Sequence, residues 1–150
     1  MSKLKMFYLM PLLFIFYFSN GYADDSVGVI KTLTGTVSIK RNSEVIDAKL
    51  GEVVFAQDEI TTAKNSSVGL LMHDDARVSM GPSTVMKLDQ FNFDNQTHEG
   101  SADISVKHGT LSVIAGKMTE KTPGALKVKT PAAILAVRGT EFSIKVDPKP

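Results

Sequence analysis

The chain has no cysteine and no tryptophan among its 150 residues, only three histidines, and no apolar run long enough to cross a bilayer. Each shortage excludes something. Without cysteine there is no disulfide framework, no thiolate nucleophile and no lipid-anchored lipoprotein, so burial must stabilise the fold. His73, His98 and His108 lie 25 and 10 residues apart, with no His-Xaa-His or His-Glu-Xaa-Xaa-His spacing to bring two imidazoles to one metal. Neither a Gly-Xaa-Ser-Xaa-Gly elbow nor a Gly-rich phosphate loop occurs, and nothing sets one carboxylate pair apart among 16 acidic residues. No enzyme activity, cofactor or metal is expected. A 3.6-residue period is never sustained for three turns, so helix should be nearly absent.

The N-terminus carries an address. Lys3 and Lys5 give a positive start, Met6 to Phe18 is apolar, and Ser19-Asn20-Gly21-Tyr22-Ala23 ends in the small residues a signal peptidase reads. The apolar run has 13 residues, whereas a spanning helix needs about 20. The expectation is a signal peptide over 1–23, a single domain over 24–150, no membrane span after cleavage, and a periplasmic or secreted location.

Beyond that segment charge is graded along the chain. Residues 24–106 hold 7 basic and 13 acidic side chains, and residues 107–150 hold 8 basic and 3 acidic. The lysines alternate with apolar residues, as on the wet face of strands. This reads as distributed solvated charge, and no nucleic-acid partner is expected.

Short β-branched and alternating segments fill most of the remainder. Val27-Gly28-Val29-Ile30, Thr36 to Lys40, Val45-Ile46 and Val53-Val54-Phe55 are separated by polar turns; Val68, Leu70 and Met72 alternate, as do Ile104 and Val106, then Leu111, Val113 and Ala115. His73-Asp74-Asp75-Ala76 is the densest cluster of possible metal ligands, and it is read as a turn in which Asp caps its own backbone. Pro82 belongs at a strand boundary or edge. Gln90–Gly100 and 116–124 are the long polar interruptions, expected as loops of which at least one contacts a partner. Strands recurring every 7 to 10 residues predict an all-β fold of short stacked strands in two facing sheets: a β-sandwich, a jelly-roll-like barrel or an open β-solenoid.

Near the C-terminus two apolar segments flank Arg138-Gly139. The second alternates, with Phe142, Ile144 and Val146 on one face and Ser143 and Lys145 on the other, so the stretch reads as strand, turn or bulge, strand. The motif Thr130-Pro131 followed by Val137-Arg138-Gly139-Thr140-Glu141-Phe142 resembles the terminal signature of the FecR domain, a bacterial periplasmic module. Weaker resemblances are Gly35-Thr36-Val37, Leu50-Gly51 and Asp58 to Thr62; where that family has an Asp-Gly-Ser turn, this chain has Asp75-Ala76-Arg77. Arg138, Gly139 and Glu141 are expected to serve the fold. Arg138, between apolar runs, should be partly buried and satisfied by Glu141 or nearby carbonyls, and Gly139 should let the chain re-aim.

The resemblance implies a non-enzymatic binding or sensing module of the bacterial cell envelope, holding a protein, peptide or glycan partner on a rigid β scaffold in envelope signalling. The competing reading is a structural envelope protein that assembles through exposed sheet edges.

Overall fold

A computed structural model describes residues 25–150, and the expected signal peptide lies outside them. Period-two patterning becomes strand throughout: 57% of this span is strand and 4% helix. The strands are β1 (Ser26–Thr34), β2 (Val37–Arg41), β3 (Glu44–Asp47), β4 (Val53–Phe55), β5 (Glu59–Thr62), β6 (Ser67–Met72), β7 (Arg77–Met80), β8 (Val85–Phe93), β9 (Gly100–Ile114), β10 (Leu126–Lys129), β11 (Ile134–Ala136) and β12 (Glu141–Val146). One short helix, α1 (Lys117–Lys121), separates β9 from β10.

These strands make one curled, half-barrel sheet in the order β3-β2-β5-β8-β9-β7-β6-β1-β4, with β10 and β12 also held by β9, and β11 held by β10. Every pairing is antiparallel except β9 with β10. The spine is β9. Its first half, through His108, pairs with β8 on one edge and β10 on the other. Its second half pairs with β7 and β12. The hydrogen bonding therefore runs through β9 as one bent sheet, and the two facing sheets expected from the strand rhythm are not confirmed.

Bending a strand takes backbone groups out of the ladder, and threonine hydroxyls satisfy them here. At the corner Thr84 donates its N–H to the Thr62 hydroxyl at 3.0 Å, that hydroxyl donates to the Gly81 carbonyl at 2.6 Å, and the Thr110 N–H donates to the Thr84 hydroxyl at 3.0 Å. Gly109 makes the bend possible. It has φ +105°, and a Cβ there would fall 2.2 Å from Thr84 Oγ1 and 2.4 Å from its Cα. What looks like a turn at His108-Gly109-Thr110 is thus a kink inside one 15-residue strand.

Inward-facing side chains from both halves meet in one core, including Ile30, Ile39, Ile60, Met86, Leu88 and Leu111. Alternate residues of each strand face it, which is why β6 and β7 alternate buried with exposed positions.

Local differences from the sequence reading have local causes. Asn42-Ser43 is a two-residue hairpin turn with φ 50° and 67°, the primed geometry that suits strand twist, reached without glycine. The positive φ at the β6–β7 turn falls on Asp75 (65°), so Ala76 is spared it. Gln90–Phe93 belongs to β8, leaving only 94–99 as loop. Nor is 116–124 a plain surface loop, because α1 sends Met118, 1% exposed, into the core with Thr119 buried beside it.

Candidate functional site: the signature segment and an open cleft

The Thr130–Phe142 stretch is built as a crossing between the two halves of the sheet. Thr130 closes the β10–β11 turn: its N–H donates to the Ala133 carbonyl at 2.8 Å, and its hydroxyl accepts from the N–H groups of Ala132 and Ala133 at 3.3 and 3.1 Å. Pro131 sits exposed within that turn. Val137, buried, donates its N–H to the Leu126 carbonyl and accepts from Gly124. Gly139, at φ +105°, turns the chain where a Cβ would meet nothing within 4 Å. Thr140 then accepts from the Ala115 N–H at 2.8 Å, and β12 begins, with Phe142 half-buried opposite Val113.

Arg138 departs from expectation. Its side chain is exposed and makes no hydrogen bond or ion pair among the described residues, and Glu141, also exposed, does not meet it. The reason is geometric: Val137 takes the inward position, and the next side chain leaves on the other side. Thr130, Val137, Gly139, Thr140 and Phe142 carry the fold of the motif, while Arg138 and Glu141 are surface.

A half-buried ion pair lies elsewhere, on the buried carboxylate of Asp58 in the acidic Asp58–Thr62 step. Arg41 forks onto its carboxylate at 2.9 and 2.7 Å, Phe55 donates an N–H to it at 2.9 Å, and the guanidinium stacks 4.5 Å over the Phe55 ring. Burial of a charge demands such partners. The Asp74 and Asp75 carboxylates are also occupied. Asp74, buried, accepts from the backbone N–H groups of Ala76 and Met118, and burial still pushes its pKa up. Asp75 pairs with Lys117 at 2.7 Å, which lowers its pKa and raises that of the lysine. Together they pin α1 to the β6–β7 turn.

A cleft of about 980 Å³ opens at the far end of the β8–β9 hairpin, lined by Ser26, His73, Phe91, Phe93, Asp94 and Glu99 among others. It exists because β5 stops short. β5 pairs with β8 from Val85 to Lys87, and Gln57 and Asp58 just before it carry the backbone bonding as far as Leu88. Past a bulge between Leu88 and Gln90, β8 pairs with β9 alone among the described residues. Ala102 turns its N–H to Ala125, away from β8, so its non-bonded opposite Phe91, and Phe93 two residues on, aim their N–H and C=O into the cleft.

The hairpin tip is compact. Asp94 accepts from the N–H groups of Gln96 at 2.7 Å and Thr97 at 3.1 Å, and these bonds, Thr97's foremost, hold its carboxyl below the usual range. His98, at φ 61°, stacks on Phe93 with ring centroids 6.1 Å apart. His73 Nε2 lies 3.3 Å from the Ser26 hydroxyl, and His108 meets the Ser83 carbonyl at 2.8 Å. The described residues contain no cluster of three potential metal ligands. Sequence reasoning singled out the tip but missed the strand edge behind it, because an absent neighbour leaves no local signal.

The profile of the family described as FecR protein matches residues 58–150, more than half of the chain. The chain belongs to the FecR protein family. No curated protein and no solved structure gives a significant match. In this FecR protein the matched region starts at the buried Asp58 and takes in β5 to β12, so both the terminal signature and the cleft-forming hairpin lie inside it, while β1 to β4 precede it. The family is associated with envelope signalling. No helix among the described residues is long and apolar enough to cross a membrane.

Proposed function

We propose that this FecR protein is a non-enzymatic binding and sensing module of the bacterial envelope, exported to the periplasm or beyond, that holds an extended segment of a partner protein in the cleft beside β8. The observation that carries this reading is the edge at Phe91 and Phe93, which no strand among the described residues caps and whose backbone groups face a cleft of about 980 Å³. An added strand satisfies such groups, and pockets for its alternate side chains supply selectivity. Phe91 and Phe93 offer apolar contact, while Asp25, Asp94 and Glu99 on the walls favour a basic segment.

Capture of partners from envelope extract, followed by calorimetry with the captured segment, tests the proposal. The double reversal Asp25→Lys/Glu99→Lys should weaken binding at least tenfold without lowering the melting temperature. Unchanged affinity would remove the cleft from consideration, and retention of a polysaccharide in place of a protein would replace the peptide with a glycan.

A further inference from the structure

Among the described residues four strands end the sheet: β3, β4, β11 and β12. β4 and β11 have three residues each, and β3 has four with exposed Glu44 and Asp47 at its ends. β12 has six, and among the described residues it is hydrogen-bonded to β9 alone. An open edge of that length is a template for another strand. The Thr140 carbonyl points at β9, where it accepts from Ala115. Alternation then turns the backbone of Phe142, Ile144 and Val146 toward β9 and the N–H and C=O of Glu141, Ser143 and Lys145 toward the open edge. The side chains divide likewise, with Phe142, Ile144 and Val146 half-buried and Glu141, Ser143 and Lys145 exposed.

The charge pattern of this edge identifies what pairs with it. We propose that β12 pairs antiparallel with β12 of a second copy of the chain, about a two-fold axis at Ser143. In that register Glu141 stands opposite Lys145 of the second copy, and the symmetry repeats the ion pair. Ser143 faces Ser143, and Phe142 faces Ile144 on the inner side. Each outward-facing pair exchanges two backbone hydrogen bonds. Neighbouring registers are poorer: sliding two residues one way opposes Glu141 to Asp147, and sliding two the other way leaves both charges without a cross-strand counterpart, Lys145 keeping only its exposed 3.8 Å contact with Asp147 of its own chain. A slip of one residue sends every side chain to the wrong face.

A groove of about 680 Å³ beside the inner face of β12, whose apolar wall is Pro131, Leu135, Ile144 and Val146 and whose rim includes Lys107 and Asp147, receives the apolar side of the added strand. Leu135 and Ile134 stand 41% and 67% exposed on the neighbouring β11. Because the contact is isologous it closes on itself, and the product is a dimer and not a filament. This inference is independent of the cleft at the other end of the molecule.

Analytical ultracentrifugation of the purified protein tests it. The natural chain should sediment as a dimer at micromolar concentration. Glu141→Lys and Lys145→Glu, both at exposed positions, should each give a folded monomer, and the combined swap should restore the dimer. In this cysteine-free chain, Ser143→Cys should form a covalent dimer on oxidation, since hydrogen-bonded cross-strand Cα atoms lie about 5.5 Å apart and disulfides span about 4.4–6.8 Å. Ser79→Cys, on β7 two strands in from the edge, should stay monomeric on a denaturing gel. A monomer at every concentration, dimers that survive the single reversals, or failure of the double swap to restore them would each overturn the proposal.

Discussion

Replacing Gly109 with alanine tests the bend in β9, and Gly139 supplies the matched control. Both glycines have φ +105°, so the backbone strain of a side chain at that angle applies to both, while their surroundings differ. At Gly139 a Cβ meets nothing within 4 Å. At Gly109 it would fall 2.2 Å from Thr84 Oγ1 and 2.4 Å from Thr84 Cα. Thr84 is fully buried, and its hydroxyl and N–H are both engaged with Thr110 and Thr62, so it has no room to retreat. Positive φ costs a non-glycine residue about 1–2 kcal/mol, which is the whole expected loss for Gly139→Ala. Overpacking adds about 1–3 kcal/mol, so Gly109→Ala should lose about 2–5 kcal/mol in all. In a domain of this size 1 kcal/mol moves the melting temperature by about 4 °C. Urea unfolding followed by far-UV circular dichroism gives both values directly. Equal losses for the two variants would refute the reasoning, because the contact with Thr84 would then contribute nothing.

Two further perturbations follow from the same geometry. Arg138→Ala should change stability by no more than about 0.5 kcal/mol, as for other surface positions, because the side chain is exposed and unpaired among the described residues; a loss of several kcal/mol in urea unfolding would show a buried partner. Asp74 has its pKa raised by burial, so the folded state holds that proton more tightly than the unfolded chain does. Its contribution is therefore fullest below the ordinary carboxylate pKa and is lost as pH rises through the raised folded value. Asp74→Asn should flatten the fall in stability as pH rises above the ordinary carboxylate pKa of about 4 while keeping an acceptor oxygen for Ala76, whereas Asp74→Ala, which leaves the N–H groups unsatisfied, should cost about 1–3 kcal/mol. An Asn variant with the natural pH slope would remove Asp74 as its source.

Much of the β character was legible because alternation is written residue by residue. Val37 and Ile39, Val68 and Leu70, and Phe142 and Ile144 announce both strand and inward face. The FecR signature was legible for the same reason, since it lies in one contiguous stretch. Several features were not. The turn after Lys40 was read, but not its two-residue hairpin geometry, because asparagine and serine take a positive φ here without the glycine that usually marks it. Met118 looked like one apolar residue in a polar interruption, and only the opening left between β6, β9 and β10 makes it a plug. Arg138 looked buried because its neighbours in sequence are apolar, yet Ile134 and Leu135 beside it are themselves uncovered.

By itself, then, the sequence determined that the chain would be strand, which face of each strand would be apolar, and to which family it belongs. The tertiary structure alone decided which strand edges meet a neighbour among the described residues: that β9 carries four partners, that β8 outruns β5 and leaves a cleft, and that β12 ends the sheet with its outer edge open. The division has a physical basis. A side chain's face follows from the two-residue repeat of its own strand, whereas an edge is closed or open according to segments distant in the chain, as when residues 126–129 join residues 102–105, and no local pattern records that meeting.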